Sequence, residues 1–254
     1  MKHVLILGGT AEARQLAGLL AGRRDIKAVL SLAGRTKAPT AQPVPVRVGG
    51  FGGSEGLAAY LASERINALI DATHPYAAMI SKNAAAAAAS AQVPLVALRR
   101  PAWVAAPGDR WIDVDDMAAA AGALGAAPKR VFLTIGRQEV AAFAAAPQHH
   151  YVIRSVDPVE PPLNVPNAAY IVSRGPFAES DERPLLSQHR IEVIVAKNSG
   201  GTATYGKIAA ARALGLTVIM LRRPALPDMA SVDTPQDAVL WLDHLPEPST
   251  KRGV

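Results

Sequence analysis

The sequence predicts an α/β fold built twice along a chain of 254 residues. Three observations carry that prediction. Short apolar runs alternate with helix-like stretches, the pattern of a parallel sheet covered on both faces. Half the residues are hydrophobic but only 5% are aromatic, so Ala, Val, Leu and Ile supply the core, which suits helix-on-sheet layers better than a sandwich. A series of landmarks also recurs in order at one near-constant offset.

The first elements follow from local pattern. Val4–Leu7 is a buried apolar run, and His3–Leu7 is read as a strand. Gly8 and Gly9 break it, and a helix runs from about Thr10 to Gly22. Strands are expected at 27–32, 46–48, 68–71 and 94–98, and helices from residue 53 to about 65 and from about Tyr76 to Gln92. Pro75 is taken as the first residue of that last helix, where proline is welcome. Beyond it, 105–110 reads as a loop and 117–125 as a short helix. A strand ending at Gly136 then precedes a helix over 138–145.

The second half echoes the first. Leu-Arg-Arg-Pro-Ala occurs at 98–102 and again at 221–225. The strand ending in Asp71-Ala-Thr-His74 corresponds to the one ending in Lys197-Asn198. Phe51 corresponds to Phe177, and Val4–Leu7 to Val131–Thr134. The offsets stay near 123–127 residues, which implies duplication of one α/β unit. The expected organisation is two similar Rossmann-like domains with parallel sheets, 1–127 and 128–245, followed by a flexible tail at 246–254. Ligands of such sheets bind outside the carboxyl ends of the strands, so the active site is expected in the interdomain cleft.

Composition narrows the function. The absence of cysteine excludes disulfides, thiolate metal sites and cysteine nucleophiles. No apolar run reaches the ~18 residues of a membrane span, and the first apolar run is too short for a signal peptide, so a cytoplasmic protein without membrane contact is expected. Net charge is +6, with 19 Arg and 8 Lys, yet no basic run exceeds two residues and few aromatics could stack on bases. An acidic small molecule is therefore expected as partner rather than nucleic acid. Nucleophile-elbow, zincin and P-loop motifs are absent, and no metal site is expected.

The candidate residues lie at the predicted strand ends. The turn Gly8-Gly9-Thr10, with Glu12 in the first helical turn, reads as a pyrophosphate site: glycines admit a ligand and the helix start offers N–H groups. An ordinary βα turn capped by Thr10 would use the same residues. The second strand ends without the acid that NAD-binding folds carry; Ser31 and Arg35 stand there instead, which favours a 2′-phosphate and NADPH. Gly49, Gly50, Phe51 and Gly52 form a loop suited to close cofactor approach, expected on the nicotinamide side. Thr73 either caps the next helix or joins the cofactor contacts. His74 and Tyr76 are placed facing substrate, with His74 the candidate proton donor. Lys197, Asn198, Gly200 and Gly201 form the matching loop of the second domain, suited to gripping a carboxylate or phosphate. His149-His150 has no partner at metal-ligand spacing and is read as structural.

Taken together, Leu-Gly-Gly-Thr-Ala-Glu-Ala, Ala-Gly-Arg-Thr, Gly-Gly-Phe-Gly-Gly, Asp-Ala-Thr-His-Pro-Tyr-Ala, Arg-Arg-Pro-Ala-Trp and Ala-Lys-Asn-Ser-Gly-Gly resemble the precorrin-6A reductases of cobalamin biosynthesis. The resemblance runs in order to about residue 227. It implies an NADPH-dependent reductase that adds a hydride and a proton across one double bond of an acidic tetrapyrrole-derived macrocycle, giving precorrin-6B. It also lends weight to His150 and Arg174, and leaves room for transient contact with neighbouring pathway enzymes. A cobalt-precorrin-6A reductase, another NADP-linked reductase of an anionic substrate, and a non-catalytic NADPH sensor remain as alternatives.

Overall fold

The computed structural model describes residues 1–34 and 41–246. They fall into two compact units, one drawn from 1–100 with 225–246 and the other from 101–224. In unit 1 the order is β1 (Lys2–Leu7), α1 (Ala11–Ala21), β2 (Ile26–Leu32), β3 (Val46–Val48), α2 (Gly53–Ser63), β4 (Ala68–Asp71), α3 (Ala78–Ala91) and β5 (Leu95–Leu98). The chain then enters unit 2 with β6 (Arg110–Val114), α4 (Met117–Ala123), β7 (Arg130–Thr134), a 3₁₀ helix (Val140–Ala145), β8 (His150–Ser155), β9 (Ala168–Val172), α5 (Glu179–Gln188), β10 (Val193–Lys197), α6 (Gly206–Leu214) and β11 (Thr217–Leu221). It returns to unit 1 for β12 (Ser231–Val232) and α7 (Pro235–His244).

Each unit holds a six-stranded parallel sheet. The orders are β12-β5-β4-β1-β2-β3 and β6-β11-β10-β7-β8-β9. Every strand of one has its counterpart at the same place in the other, so the duplication read from the sequence is a duplication of topology. The central strands are apolar throughout because both faces are covered. On β1, Val4 and Ile6 join Leu16, Leu20 and Leu30 on one face. Leu5 and Leu7 join Leu57, Leu61 and Leu69 on the other.

The expected division near residue 127 is corrected by the strand pairing. β6 follows β5 in the chain but pairs with β11, and β12 follows β11 but pairs with β5. The Arg99 amide donates to the Val232 carbonyl, and the Arg222 amide donates to the Val114 carbonyl, both at 2.8 Å. After each edge strand comes a helix capped by a side chain, Asp116 for α4 and Thr234 for α7. The two repeats have thus exchanged their last strand and helix. Both crossings, between 100 and 101 and between 224 and 225, fall inside the repeated Leu-Arg-Arg-Pro-Ala. The exchange is locked in unit 1 by Lys2, whose buried ammonium donates to the Leu242 and Leu245 carbonyls at the end of α7 (2.8 and 2.7 Å). Residues 247–254, most of the expected tail, lie outside the described residues.

Two element readings also change. Residues 138–145 give a 3₁₀ helix over Val140–Ala145, and the helix after His74 begins at Ala78, leaving Pro75 and Tyr76 in the preceding turn. No helix among the described residues is long and apolar enough to cross a membrane.

Candidate functional site

The carboxyl end of unit 1's sheet is built from three turns. The first joins β1 to α1. The Gly8 amide donates to the Ser31 carbonyl (2.9 Å), which draws this turn against β2. A Cβ on Gly8 would stand 2.5 Å from Leu30 Cδ1, and Gly9 holds φ at +117°, so neither position accepts a side chain without strain. Thr10 is the N-cap of α1: its hydroxyl accepts from the Ala13 amide (3.1 Å) and donates to the Ala72 carbonyl beyond β4 (2.9 Å). Glu12 pairs with Arg100. The hydroxyl and the carboxylate therefore tie the turn to β4 and to the end of unit 1's first segment. The backbone is what remains for an anion.

The second turn follows β3. Gly49–Gly53 borders a cavity of about 180 Å³ that is also lined by Leu7, Gly8, Ser31, Thr73, Ile80 and Asn83. Arg47 holds this loop. Its guanidinium donates to the Gly49 carbonyl (2.6 Å) and the Gly50 carbonyl (2.8 Å) and lies 3.7 Å from the Phe51 ring centroid. Phe51 in turn meets Tyr60 edge-on at 5.2 Å.

The third turn follows β4 and is organised by Asp71, whose carboxylate is buried. One oxygen accepts from the Thr73 amide (3.2 Å) and hydroxyl (2.6 Å); the other accepts from Ser81 on α3 (2.5 Å) and lies 3.7 Å from Arg99. Thr73 is therefore held by Asp71 rather than capping α3, whose N-cap is Ala77. His74 and Tyr76 follow, both partly buried, their rings 5.6 Å apart, with the Tyr76 amide directed at His74 Nδ1 (3.4 Å).

Unit 2 repeats these turns with different side chains. Glu139, at the counterpart of Glu12, accepts from the Gly136 amide (3.0 Å) and from Lys197 (2.5 Å). Asn198 bonds both backbone groups of Trp103, accepting from its amide (2.8 Å) and donating to its carbonyl (2.9 Å). A Cβ on Gly200 would fall 2.1 Å from the Pro101 carbonyl oxygen, so that glycine is required by the same packing. Where unit 1 has its cavity, unit 2 is filled. Arg154 on β8 matches Ser31 on β2, pairs with Glu182 through two N–H groups, and lies 3.7 Å from the Phe177 centroid. Lys207 is buried beside them and donates to the Thr204 carbonyl (2.7 Å); burial first, and then Arg154, lower its ammonium to about 7.

Of the residues expected at the site, Gly8, Ser31, Gly49, Gly50, Phe51, Gly52 and Thr73 share one cavity. Gly9, Thr10 and Glu12 belong to the adjoining turn. Arg35 lies outside the described residues. Asn198 and Gly200 shape their loop, and Lys197 and Gly201 sit with them at the end of β10. His150 starts β8, so it lies at the amino end of its strand, opposite these turns, while Arg174 follows β9. Buried His149 accepts from the Lys129 amide at Nδ1 (3.2 Å), and burial lowers its pKa. Sequence reading assigned no role to Asp71, Arg47 or Asn83. Asp71 alone left a signal, an acid closing an otherwise apolar strand.

The family model described as precorrin-6x reductase CbiJ/CobK matches residues 3–243. A precorrin-6A reductase from Sinorhizobium sp is 57% identical over 242 residues, 95% of this chain and 93% of the relative. One from Rhodobacter capsulatus is 50% identical over 255 residues, covering all of both chains. A solved structure, a CobK precorrin-6A reductase, superposes with a TM-score of 0.92 at 50% identity over the whole of both chains.

Proposed function

The chain belongs to the precorrin-6x reductase family and is an oxidoreductase of cobalamin biosynthesis, and from that premise we propose that unit 1 holds NADPH and that the reduction of precorrin-6A takes place at the carboxyl end of its sheet. The observation that carries this is the cavity bounded by Gly8, Ser31, Phe51 and Thr73, contiguous with a glycine turn at the start of α1. Its size and apolar lining suit an adenosine, and Gly8-Gly9 suits a pyrophosphate, since Gly9 holds a backbone conformation that side chains rarely adopt and Gly8 adds no side chain at the start of α1.

This assignment revises one expectation. We place Gly49–Gly52 at the adenosine end beside Ser31 rather than at the nicotinamide, in a cavity that crosses β1 and also takes Thr73, Ile80 and Asn83 from the β4 side. With the adenosine placed beside Ser31, the residues after β4, on the opposite side of β1, would border the other end of the dinucleotide. His74 and Tyr76 follow that strand. The bound nucleotide supplies the hydride. His74 is our candidate for the proton, as the titratable side chain that follows the Asp71–Thr73 turn. Lys197, at the end of β10, is our candidate cation for a substrate carboxylate, with Asn198 keeping its loop in place and the backbone of Gly200 and Gly201 bordering it.

The test is oxidation of NADPH on addition of precorrin-6A, with the product gaining two hydrogens by mass. A Gly9→Val variant should lose nucleotide binding and turnover together. Binding of NADPH without oxidation in the presence of substrate would replace the enzyme reading with that of a sensor. Equal KM values for NADPH and NADH would remove the 2′-phosphate from it.

A further inference from the structure

Resting on the nucleotide reading above, we propose that Arg47 is a specificity-determining residue that reads the 2′-phosphate of the cofactor. Ser31 on β2 and Arg47 on β3 are register partners in a parallel pair, so their side chains leave the same face of the sheet. Leu7, the partner of Ser31 on β1, lines the cavity on that face. The guanidinium is therefore delivered to the rim of the adenosine cavity beside the residue that meets the ribose. Its bonds to the Gly49 and Gly50 carbonyls fix its place and leave further N–H donors of the fork.

The duplicated unit supplies the decisive comparison. Both halves stack a guanidinium on the equivalent aromatic ring at 3.7 Å, Arg47 on Phe51 and Arg154 on Phe177. In unit 2 the charge is met inside the protein by Glu182, in the first turns of α5. The counterpart of Glu182 in α2 is Gly56, which brings no acid. Among the described residues no carboxylate pairs with Arg47; it meets two neutral carbonyls and two aromatic rings. A guanidinium that no carboxylate among the described residues meets, at the edge of the cavity assigned to the adenosine, calls for an anion from the ligand, and a phosphate on the ribose beside Ser31 is the group that reaches it.

The experiment is isothermal titration of the full chain with 2′,5′-ADP and with 5′-AMP, comparing wild type with Arg47→Met and Arg47→Lys. Wild type should prefer the 2′-phosphorylated ligand by tenfold or more. Arg47→Met should abolish most of that preference, losing at least tenfold more affinity for 2′,5′-ADP than for 5′-AMP. Arg47→Lys keeps a charge but cannot span both carbonyls, so it should retain much of the preference even if its melting temperature falls as far as that of Arg47→Met. Equal losses for both ligands in Arg47→Met would make Arg47 a loop-shaping residue and overturn the proposal, as would an unchanged preference. A wild-type protein that binds neither ligand would remove the nucleotide reading itself.

Discussion

Replacing Asp71 by Asn tests whether the buried carboxylate positions the nucleotide cavity or only supports the fold. Asp71 accepts three hydrogen bonds, from the Thr73 amide, the Thr73 hydroxyl and the Ser81 hydroxyl. Bonds to an ionised acceptor are worth about 1.5–3 kcal/mol each, and they are not additive here because one carboxylate serves all three. Asn keeps an acceptor for Thr73 and replaces the other oxygen by an amide that Ser81 must turn to accept. The neighbouring Arg99 also loses its counter-charge, across 3.7 Å and partly in solvent. A loss of about 2–3 kcal/mol is expected, against about 3–5 kcal/mol for Ala, which removes every acceptor. Either leaves most of a domain of ordinary stability folded. The functional part of the expectation is separate. Thr73 lines the cavity, so its displacement should weaken NADPH binding at least fivefold in Asp71→Asn. Urea unfolding gives the first quantity and nucleotide titration the second. A lower unfolding midpoint with unchanged nucleotide affinity would refute the positioning argument, and no change in either would refute the geometry. Unit 2 sharpens the test, because Ala196 on β10 stands at the register position that Asp71 holds on β4. The fold itself makes this turn without a carboxylate.

Two further outcomes follow from features outside the cavity. Lys207 is held near 7 in the folded state against an ordinary lysine value near 10.4, so between those limits the unfolded chain carries a proton that the folded chain does not. Stability should therefore rise with pH above about 7, by up to ~1.4 kcal/mol per unit from this group, and Lys207→Met should flatten that rise in urea midpoints taken from about pH 7 to 9 while stabilising the protein most at lower pH. A chain ended after residue 224 lacks β12 and α7, exposing Leu16 and Leu20 and depriving Lys2 of its carbonyls; it should fail to unfold cooperatively, whereas a chain ended after residue 246 should keep the wild-type midpoint.

Much of this was legible in the sequence because it is written in local pattern. β3 and β4 have the expected boundaries, and Thr10 caps α1 because a threonine before an amphipathic run has few other uses. The duplication was legible for the same reason that it survives in the fold: strand-end turns constrain their residues. What could not be read was pairing across long sequence separations. Nothing local to Arg110–Val114 says that it will lie beside β11 instead of β5, so the exchange and the true unit boundary were hidden. The same limit applied to the site. The bonds from Asn198 to the Trp103 backbone could not be read, because that partner is 95 residues away. Arg47 looked like an ordinary residue in a three-residue strand, because its role depends on register with Ser31.

The comparison of the two units explains why one of them is suited to a nucleotide. Duplication yields two equivalent turns at the ends of two equivalent sheets, and the backbone alone does not choose between them. The choice is made at a few matched positions. Ser31 is small where Arg154 is long, and Gly56 is empty where Glu182 carries a charge. In unit 2 these larger groups, with Lys207, close the space with an internal ion cluster. A buried pair of that kind contributes little net stability, because desolvation offsets most of its attraction. Its structural effect is to occupy volume and satisfy its own charges. Unit 1 has the opposite arrangement: an open cavity, glycines around it at positive φ, and a guanidinium at its rim whose partners are neutral. Opening unit 2 by Arg154→Ser with Glu182→Gly would recreate the volume but not the Gly8-Gly9 turn, since Thr134, Ile135 and Gly136 stand there instead. Among the described residues, unit 1 brings such a cavity and the Gly8-Gly9 turn together, and the proposed nucleotide site rests on that pairing.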